Sequence, residues 1–413
     1  MTHQPRRHFL FLQGPPGPFF AELAAGLEEK GHTCRRVNFC GGDRLDWRGS
    51  AHDFADRPEA WPIFLQALID AEAVTDIVLF GDCRPLHTAA RRVANDLRIT
   101  VHVFEEGYIR PDWVTLERGG VNGNSSLPRD PQVYVALAAD LPPVPHYLPI
   151  PASFRQRAWE AFAYFAANTI LASRFPHYRS HRPARATAEL AGWAVRMCGR
   201  PLARLRSTIA ARRLCGHYFI LPLQLDSDHQ IRTHSPFAGM TEAIGRIIAS
   251  FAAHAPMDVA LVVKEHPLDN GIRAWRRVVR DMARQHGVPD RVVFIEHGRI
   301  DALVAAAAGV VTVNSTTGTL ALSAGIPVAV LGTAVYDMPG ITHQGSLDVF
   351  WSAPGKPRPE IYDAFQSVLI MRCLLRGGFT NRIARAHLLP SAVARLGQSA
   401  AATAPVRHLS VAA

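Results

Sequence analysis

Short apolar runs alternate along this chain with longer amphipathic segments, and Gly, Pro and charged residues mark the junctions. Up to residue 107, the runs that predict strands are HFLFLQ (8–13), HTCRRVNF (32–39), DIVLFGD (76–82) and ITVHVFEEG (99–107). Between them, the spacing of apolar positions predicts helices over FFAELAAGLEEKG (19–31) and LHTAARRVANDL (86–97). Apolar strands that alternate with helices predict a parallel sheet with helices on both faces.

The same alternation restarts after residue 216. Its predicted elements are the strands HYFILPLQ (217–224), DVALVVKEHP (258–267), RVVFIE (291–296), GVVTVNS (309–315) and PVAVLG (327–332), and the helix MTEAIGRIIASFAAHA (240–255). A length of 413 residues suits two domains better than one core. The predicted fold class is therefore α/β, with two Rossmann-like domains.

Five segments follow from this division. They are an N-terminal Rossmann-like domain (1–150), a helical basic and aromatic bridge (151–215), a second Rossmann-like domain (216–352), C-terminal helices (353–395) and a loose tail (396–413).

The composition excludes several protein classes. Hydrophobic residues make up 48% of the chain and charged residues 19%, as in folded globular proteins and unlike disordered ones. Six cysteines without a CxxC pair argue against a zinc site or a disulfide framework and fit a reducing compartment. The N-terminus lacks the long apolar region of a signal peptide, and the apolar segment 161–175 is too short to span a membrane. A cytoplasmic location is expected.

The net charge of +10 is concentrated in one segment. Residues 174–213 contain ten arginines, no lysine and one acidic residue, Glu189, so they carry nine of the ten net charges. An aromatic-rich helix precedes them, with Phe154, Trp159, Phe162, Tyr164 and Phe165. Such a pair of segments can lie on an anionic membrane surface, where each cation contributes about 1 kcal/mol. The alternatives are a solvated connector or a core helix; a nucleic-acid partner is not expected, because no nucleic-acid-binding module is present.

Polar clusters follow four of the predicted strands. They are EEGYIRP (105–111), LDSDHQI (225–231), KEHP (264–267) and NSTTG (314–318). In open α/β sheets ligands bind beyond the carboxyl ends of the strands, so these clusters are the candidate site.

Two of the clusters have groups suited to a phosphate. In NSTTG, Ser315, Thr316 and Thr317 offer hydroxyls at the start of a helix, next to Asn314 and Gly318. The alternative is an ordinary helix cap. In KEHP, Lys264 is a cation, His266 can donate a hydrogen bond to a phosphate oxygen, and Pro267 fixes the turn; the alternative is a structural histidine.

The other two clusters supply carboxylates. Glu105 and Glu106 have opposite directions on a strand end, so one can act as a general acid or base while the other braces the fold. The alternative is a solvated turn. Asp226 and Asp228 form a second alternating pair in the other domain.

The motifs resemble those of known families. The order EEG, HP and a Ser-Thr pair resembles the motifs of bacterial sialyltransferases, which use CMP-activated sugar acids. The longer segments FLQGPPGPFF, FEEGYIRPDWVTLE, LPLQLDSDHQIRTHSPF, VKEHP and TVNSTTGTLALSAGIPVAVLG resemble the capsule polysaccharide biosynthesis proteins of the KpsS, KpsC and LipB type. The resemblance runs from residue 8 to residue 352 and is weakest in the bridge and the tail.

The resemblance implies a GT-B glycosyltransferase whose acceptor and nucleotide-sugar domains face each other across a cleft. It implies transfer of Kdo from CMP-β-Kdo, with retention, to a lysophosphatidylglycerol-type lipid, which begins the poly-Kdo linker of capsular polysaccharide. The single module resembles KpsS-like members. The implied partners are a CMP-activated sugar, a lipid acceptor, other capsule biosynthesis proteins and the inner-membrane surface, reached from the cytoplasm through 151–213.

Residue roles follow from the same resemblance. His266 would contact the CMP phosphate, Ser315, Thr316 and Thr317 would hold it from the other side, and Arg110 would meet the Kdo carboxylate. Glu105, or else Glu106, would be the acid/base, and Asp228, with Asp226 as the fallback, would be the second carboxylate that retention requires. Gln13, Gly14 and Gly17 would line the acceptor side. No metal or cofactor is expected, because hydroxyls and a helix dipole can stabilise the leaving phosphate.

Two alternatives remain at this point. One is a GT-B enzyme that uses another CMP- or UDP-sugar. The other is a non-catalytic capsule assembly or export factor, against which the dense polar chemistry at the strand ends argues.

Overall fold

The computed structural model describes residues 6–145, 147–151, 154–180, 186–212, 214, 217–225 and 229–398. The chain divides into two compact units, each built from several segments. Unit 1 consists of Met1–Pro128, Pro143–His181 and Leu369–Ala413, and unit 2 consists of Arg129–Pro142 and Arg182–Val368.

The strands match the predicted apolar runs, and the structure adds three that were not predicted. In chain order the strands are β1 His8–Phe11, β2 Thr33–Asn38, β3 Ala51–Asp53, β4 Asp76–Phe80, β5 Thr100–Glu106, β6 Trp113–Arg118, β7 Tyr218–Pro222, β8 Ala260–Lys264, β9 Val292–Ile295, β10 Gly309–Thr312, β11 Val328–Val330 and β12 Leu374–Arg376. The three that were not predicted are β3, β6 and β12.

The α-helices of the described residues lie between and after these strands. They are α1 Phe19–Glu28, α2 Gly41–Leu45, α3 Trp61–Glu72, α4 Pro85–Asp96, α5 Pro131–Ala138, α6 Phe154–Ile170, α7 Ala186–Arg212, α8 His229–Thr233, α9 Met240–His254, α10 Trp275–Gln285, α11 Ile300–Ala305, α12 Thr317–Ser323, α13 Leu347–Phe350, α14 Pro359–Arg372 and α15 Arg382–Gly397. Short 3-10 segments occur at Pro58–Ala60, Asn122–Asn124 and Ala172–Arg174.

The sheet of unit 1 has the strand order β12-β6-β5-β4-β1-β2-β3. Strands β1 to β5 are parallel, which confirms the predicted parallel core, while β6 is antiparallel to both β5 and β12. Phe9, Phe11, Phe19, Phe20 and Phe104 lie in one core cluster, with each side chain at most 1% exposed. Burying a side chain of this size stabilises the fold by about 1.5–3 kcal/mol.

The predicted C-terminal segment 353–395 is divided between the units: residues up to Val368 belong to unit 2, and those from Leu369 onward belong to unit 1. Strand β12 pairs with β6, Leu374 lying opposite Thr115. Helix α15 packs on α1 so closely that a Cβ at Gly26 would lie 2.7 Å from Val393 Cγ2. Both contacts join segments more than 250 residues apart, so local sequence patterns do not report them.

The sheet of unit 2 is parallel throughout, with the order β11-β10-β7-β8-β9. Helix α9 buries Ile244, Ile247, Ile248 and Phe251 on one face, at the three- and four-residue spacing of an amphipathic helix. The predicted α/β fold class is confirmed: one sheet has a parallel core with an antiparallel edge, and the other sheet is parallel throughout.

The predicted bridge divides into one helix in each unit. Helix α6 packs on α2 in unit 1, where a Cβ at Gly41 would lie 2.1 Å from the Ala167 carbonyl oxygen. Helix α7 packs on the end of β9 in unit 2. Among the described residues, no helix combines the length and apolar character needed to cross a bilayer.

Candidate functional site

The KEHP loop follows β8 directly and turns at its histidine. The Leu268 amide donates to His266 Nδ1 at 3.1 Å, and the Asp269 amide donates to the His266 carbonyl oxygen at 3.1 Å. A neutral imidazole whose Nδ1 accepts a hydrogen bond carries its proton on Nε2. In this half-buried side chain the proton of a neutral ring therefore lies on Nε2.

The NSTTG loop leaves β10 and begins α12. Ser315 Oγ accepts the Thr317 amide at 3.1 Å and lies 3.1 Å from Thr317 Oγ1. A Cβ at Gly318 would lie 2.2 Å from the Tyr336 hydroxyl, so a larger residue does not fit there. The Ser315 hydroxyl therefore pairs with the first amide of α12, while Thr316, which occupies the N-cap position, makes no side-chain capping hydrogen bond. Helix α12 has only seven residues, and its first backbone amides already donate to nearby oxygens. The groups with which this loop could bind a phosphate are therefore the side-chain hydroxyls of residues 315–317, and not the helix amides.

Gln224 joins the ends of β7 and β10, and sequence reasoning assigned it no role. Its Nε2 donates to Asn314 Oδ1 at 2.8 Å, and its Oε1 accepts the Asn314 amide at 3.2 Å. The Gln224 side chain is 7% exposed. This reciprocal pair fixes the start of the NSTTG loop, so Asn314 has a structural role here besides its predicted donor contact.

The KEHP and NSTTG loops leave the second sheet at the same level, on either side of β7. Lys264 pairs with Pro222 across β7 and β8, and Val310 pairs with Ile220 across β7 and β10, which brings Thr312 level with Pro222. Strands lie about 4.8 Å apart, so the two exits are separated by roughly 10 Å. The structure therefore brings both loops together at the carboxyl edge of this sheet, where ligands bind in open α/β sheets.

Lys264 and Glu265 are set apart from solvent at the start of the loop. Lys264 is 5% exposed, and its Nζ donates to the carbonyl oxygens of Glu265 at 2.8 Å and Glu296 at 3.1 Å. Burial lowers the pKa of Lys264 to about 8 and raises the pKa of Glu265 to about 7. The Lys264 ammonium thus ties together the ends of β8 and β9, which differs from the predicted contact with the donor.

The two glutamates of the EEG motif have different surroundings in unit 1. Glu106 forms an ion pair with Arg157 of α6 at 3.4 Å. Glu105 Oε1 accepts the Glu106 amide at 2.9 Å, and its Oε2 would lie 3.4 Å from a Cβ built at Gly81. The two side chains thus have different neighbours, and Glu105 is the one that lies near the end of β4.

Arg84 is a second functional group at this edge of the first sheet, and no motif identified it. Its Nη1 donates to Gln13 Oε1 at 2.9 Å, and its guanidinium lies 5.3 Å from the centre of the Phe80 ring. Its Nε would lie 3.9 Å from a Cβ at Gly81, beside Glu105. A cation and a carboxylate therefore converge over Gly81. The signal in the sequence is GDCR, a polar cluster directly after the β4 run.

The predicted acceptor-side residues are buried. Gln13 is 5% exposed, and its Nε2 lies 3.0 Å from the Tyr164 hydroxyl and 3.2 Å from Asp43 Oδ2. Gly17 has φ +107° and donates its amide to Asp46 at 2.8 Å. A Cβ at Gly14 would lie 2.8 Å from the Phe20 ring. These contacts give the GPPG loop a structural role, and its predicted contact with an acceptor stays a prediction.

Three further predicted residues are Arg110, Asp226 and Asp228. Arg110 is exposed on the loop after β5. Asp226 and Asp228 fall outside the described residues.

Comparison with known proteins identifies relatives of the whole chain. The profile of the family described as "Capsule polysaccharide biosynthesis protein" matches residues 75–380. The capsule polysaccharide export protein KpsS of Escherichia coli is 35% identical over 371 residues, which cover 89% of this chain and 95% of the relative. The capsule polysaccharide modification protein LipB of Neisseria meningitidis serogroup A is 34% identical over 386 residues, 91% of this chain and 92% of the relative.

Among solved structures, the β-Kdo 2,7 transferase KpsC of Thermosulfurimonas dismutans aligns with a TM-score of 0.42 and 14% identity, covering 95% of this chain and 100% of that chain. The family resemblance that the motifs indicated is confirmed by the sequence relatives. With the family profile matching residues 75–380, this chain belongs to the capsule polysaccharide biosynthesis protein family.

Proposed function

We propose that the protein is a glycosyltransferase that moves Kdo from CMP-β-Kdo, with retention, to a lysophosphatidylglycerol-type lipid and so begins the poly-Kdo linker of a capsular polysaccharide. Membership of the capsule family supports the pathway. The observation that carries the proposal is the placement of the KEHP and NSTTG loops on either side of β7, at the edge of the sheet where α/β proteins bind ligands.

On the donor side, the proposed leaving group is the CMP phosphate. His266 Nε2 donates a hydrogen bond to a phosphate oxygen, since Nδ1 is held as an acceptor by the Leu268 amide. The hydroxyls of Ser315, Thr316 and Thr317 donate to the same phosphate. Such donors stabilise the charge that develops as the sugar–phosphate bond breaks, so the proposed reaction uses no metal.

On the acceptor side, Glu105 is proposed as the base that receives the proton of the acceptor hydroxyl. Glu105 is favoured between the two by its position at the carboxyl edge of the sheet, where its Oε2 would lie 3.4 Å from a Cβ at Gly81. Retention implies a second carboxylate near the anomeric carbon, by analogy with retaining glycosidases. Asp228, with Asp226 as the fallback, is proposed for that role. That the two domains share one cleft stays a prediction.

The lipid acceptor calls for contact with a membrane surface, and α6 has a face suited to it. Trp159, Phe162 and Ile170 are 67%, 58% and 77% exposed on one side of this helix, while Tyr164 is buried on the other. The exposed Arg155 lies on the same side. An aromatic face with nearby cations favours an anionic interface. We therefore place the protein peripherally at the inner-membrane face.

The deciding experiment incubates the protein with CMP-Kdo and a lysophosphatidylglycerol and follows the product by mass spectrometry. The expected result is a lipid that carries Kdo, with release of CMP. His266→Ala and Glu105→Gln should each lower the rate at least about a hundredfold, as expected for loss of a general acid or base. Glu106→Gln is the matched control and should retain most of the activity.

Other outcomes would redirect the assignment. Transfer from CMP-sialic acid or a UDP-sugar in place of CMP-Kdo would identify a different donor. Glu105→Gln and His266→Ala proteins that still restore capsule to a deletion strain would favour a non-catalytic assembly or export factor. A sugar adduct trapped on Asp228 would identify the second carboxylate.

The membrane part of the proposal has its own test. The protein should sediment with vesicles that contain phosphatidylglycerol, and replacement of several arginines in 174–213 by glutamine should abolish this while circular dichroism stays unchanged. Sedimentation that survives these substitutions would remove the basic segment from the proposal.

A further inference from the structure

We propose that α7 couples contact with an anionic membrane surface to the geometry of the KEHP loop, and that Arg196 is the positioning residue that makes the link. The inference deepens the proposed function, on which it rests for the identity of the loop as the donor site. Two faces of α7 support it: an inner face that packs on unit 2 and an apolar outer face.

The inner face of α7 packs on unit 2 along its length. Its contacts come from Gly192, Arg196, Ala203 and Ser207, whose spacing places them on one side of a helix. A Cβ at Gly192 would lie 2.3 Å from the Asn270 carbonyl oxygen, so the helix backbone rests directly on the segment that follows KEHP.

Arg196 joins three residues of that loop. Its Nη1 lies 3.0 Å from Glu265 Oε2 and 3.9 Å from Asp269 Oδ1, and its Nη2 donates to the His266 carbonyl oxygen at 3.4 Å. The side chain of Arg196 is 15% exposed, and those of its two carboxylate partners are 12% and 7% exposed. Asp269 is itself fixed by the Trp275 indole at 2.9 Å. A guanidinium fork in this position sets where the backbone of His266 lies.

A second anchor joins α7 to the end of β9. Ser207 Oγ accepts the amides of Glu296 at 3.1 Å and His297 at 3.0 Å. Arg206 pairs with Glu296 at 2.9 Å. Because Lys264 donates to the Glu296 carbonyl oxygen, this anchor also reaches the start of KEHP. Movement of α7 is therefore transmitted to the ends of both β8 and β9.

The outer face of α7 is an apolar stripe. Val195, Leu202, Leu205 and Ile209 are 71%, 57%, 57% and 43% exposed and recur at helical spacing. By the same spacing, the exposed Arg212 borders the stripe, whereas the exposed Arg200 and Arg204 lie towards unit 2, near His297. Residues 191–212 contain no acidic residue. An apolar stripe with cations and no anions is complementary to an anionic bilayer surface, into which such helices insert their apolar side.

Insertion of this stripe restrains α7, and the two anchors pass that restraint to the KEHP loop. A loop already held in its binding geometry loses less conformational freedom when the donor arrives. The expected consequence is tighter donor binding at the membrane, where the lipid acceptor is, and weaker binding away from it.

The test uses hydrogen–deuterium exchange of the full-length protein, read on peptides that cover 258–272, with and without phosphatidylglycerol vesicles. In the wild type, vesicles should slow exchange of the loop amides several-fold. Arg196→Met should speed loop exchange about tenfold, as expected for loss of a charged hydrogen bond, and should abolish the vesicle effect without loss of sedimentation. Arg196→Lys, which keeps the charge but not the fork, should recover part of the effect.

Two further variants complete the design. The double variant Leu202→Gln, Leu205→Gln should remove the vesicle effect and leave exchange in buffer as in the wild type. Arg280→Met on α10, where the arginine pairs with the adjacent Asp281, is the matched control and should change neither. With active protein, Arg196→Lys should raise the KM for the donor more than it lowers kcat.

Three results would overturn the inference: vesicles that bind without slowing loop exchange, a vesicle effect that survives in Arg196→Met, or Leu202→Gln, Leu205→Gln protein that keeps the effect. Capture of a protein partner by the stripe, without vesicle binding, would also overturn it. Exchange reports the loop without turnover, so failure to transfer Kdo would refute the proposed function while leaving this coupling measurable.

Discussion

The buried ion pair between Arg36 and Asp43 gives the sharpest test of what holds the first unit together. Asp43 is fully buried, and Arg36 is 2% exposed. Their atoms Nη2 and Oδ1 lie 3.1 Å apart. Asp43 also accepts the Tyr164 hydroxyl at 2.9 Å and the Phe39 amide at 3.0 Å. Asp43→Asn keeps the shape of the side chain and removes its charge.

The expected cost follows from the surroundings. Breaking a buried pair by neutralising one partner costs about 3–5 kcal/mol, because the other charge stays buried and uncompensated. The Arg36 guanidinium would then have the Trp47 ring, 5.6 Å from its carbon, as a weak substitute. Since a tenfold change in a population corresponds to about 1.4 kcal/mol, the open form of unit 1 should become roughly a hundredfold to several thousandfold more populated.

Hydrogen–deuterium exchange measures this within one molecule. Amides of β1 and β2 should exchange faster in Asp43→Asn by that factor, while amides of β7 and β8 in unit 2 serve as the internal control. Asp70→Asn, at an exposed position of α3, is the matched variant and should have no such effect. Because the two charges are paired, the double variant Arg36→Met, Asp43→Asn should lose less stability than the sum of the single changes. Additive costs would refute the coupling.

Three further outcomes are expected. Gly42→Ala should lower the thermal midpoint of unfolding, since its methyl group would lie 2.4 Å from the Tyr164 ring and such overpacking costs about 1–3 kcal/mol. Gly199→Ala is the control, because a Cβ there would have no neighbour within 4 Å among the described residues. Equal midpoints for the two variants would contradict the prediction. Glu265 has its pKa raised to about 7 from 4.5, mainly by burial, so the folded form keeps a proton that the unfolded form loses, and stability should fall as the pH rises between these values. Glu265→Gln should flatten that dependence in urea titrations, and an unchanged slope would contradict it. CMP-Kdo should slow amide exchange at both 104–108 and 264–268, and protection of 264–268 alone would speak against a shared ligand.

The central parallel strands of the two sheets could be predicted from the sequence because a strand buried on two faces needs a continuous apolar run. Runs such as HFLFLQ and DVALVV can therefore be recognised as strands without a structure. The antiparallel edge was missed. Strand β12 has three residues, and its pairing with β6 depends on a partner some 260 positions earlier in the chain. Nothing in a local window reports such a contact.

The site divides in the same way. The chemical types and their positions at strand ends are local facts, so KEHP, NSTTG and EEG could be recognised, and with them the capsule family. Which polar atoms can contact a ligand cannot be predicted from neighbouring residues, because it depends on partners distant in the chain. The sequence predicts that Lys264 contacts the sugar donor, but in the fold its ammonium group donates hydrogen bonds to two backbone carbonyl oxygens.

The sequence by itself thus determined the two α/β domains, the family and the loops that carry the chemistry, because apolar periodicity and motif order are properties of neighbouring residues. Only the tertiary structure decided that Glu105 lies beside Arg84, that Gln224 fixes Asn314, and that Arg196 holds the KEHP loop. The physical reason is that burial and hydrogen-bond partners are set by segments distant in the chain, and these decide which polar groups are occupied by the fold and which it presents to a ligand.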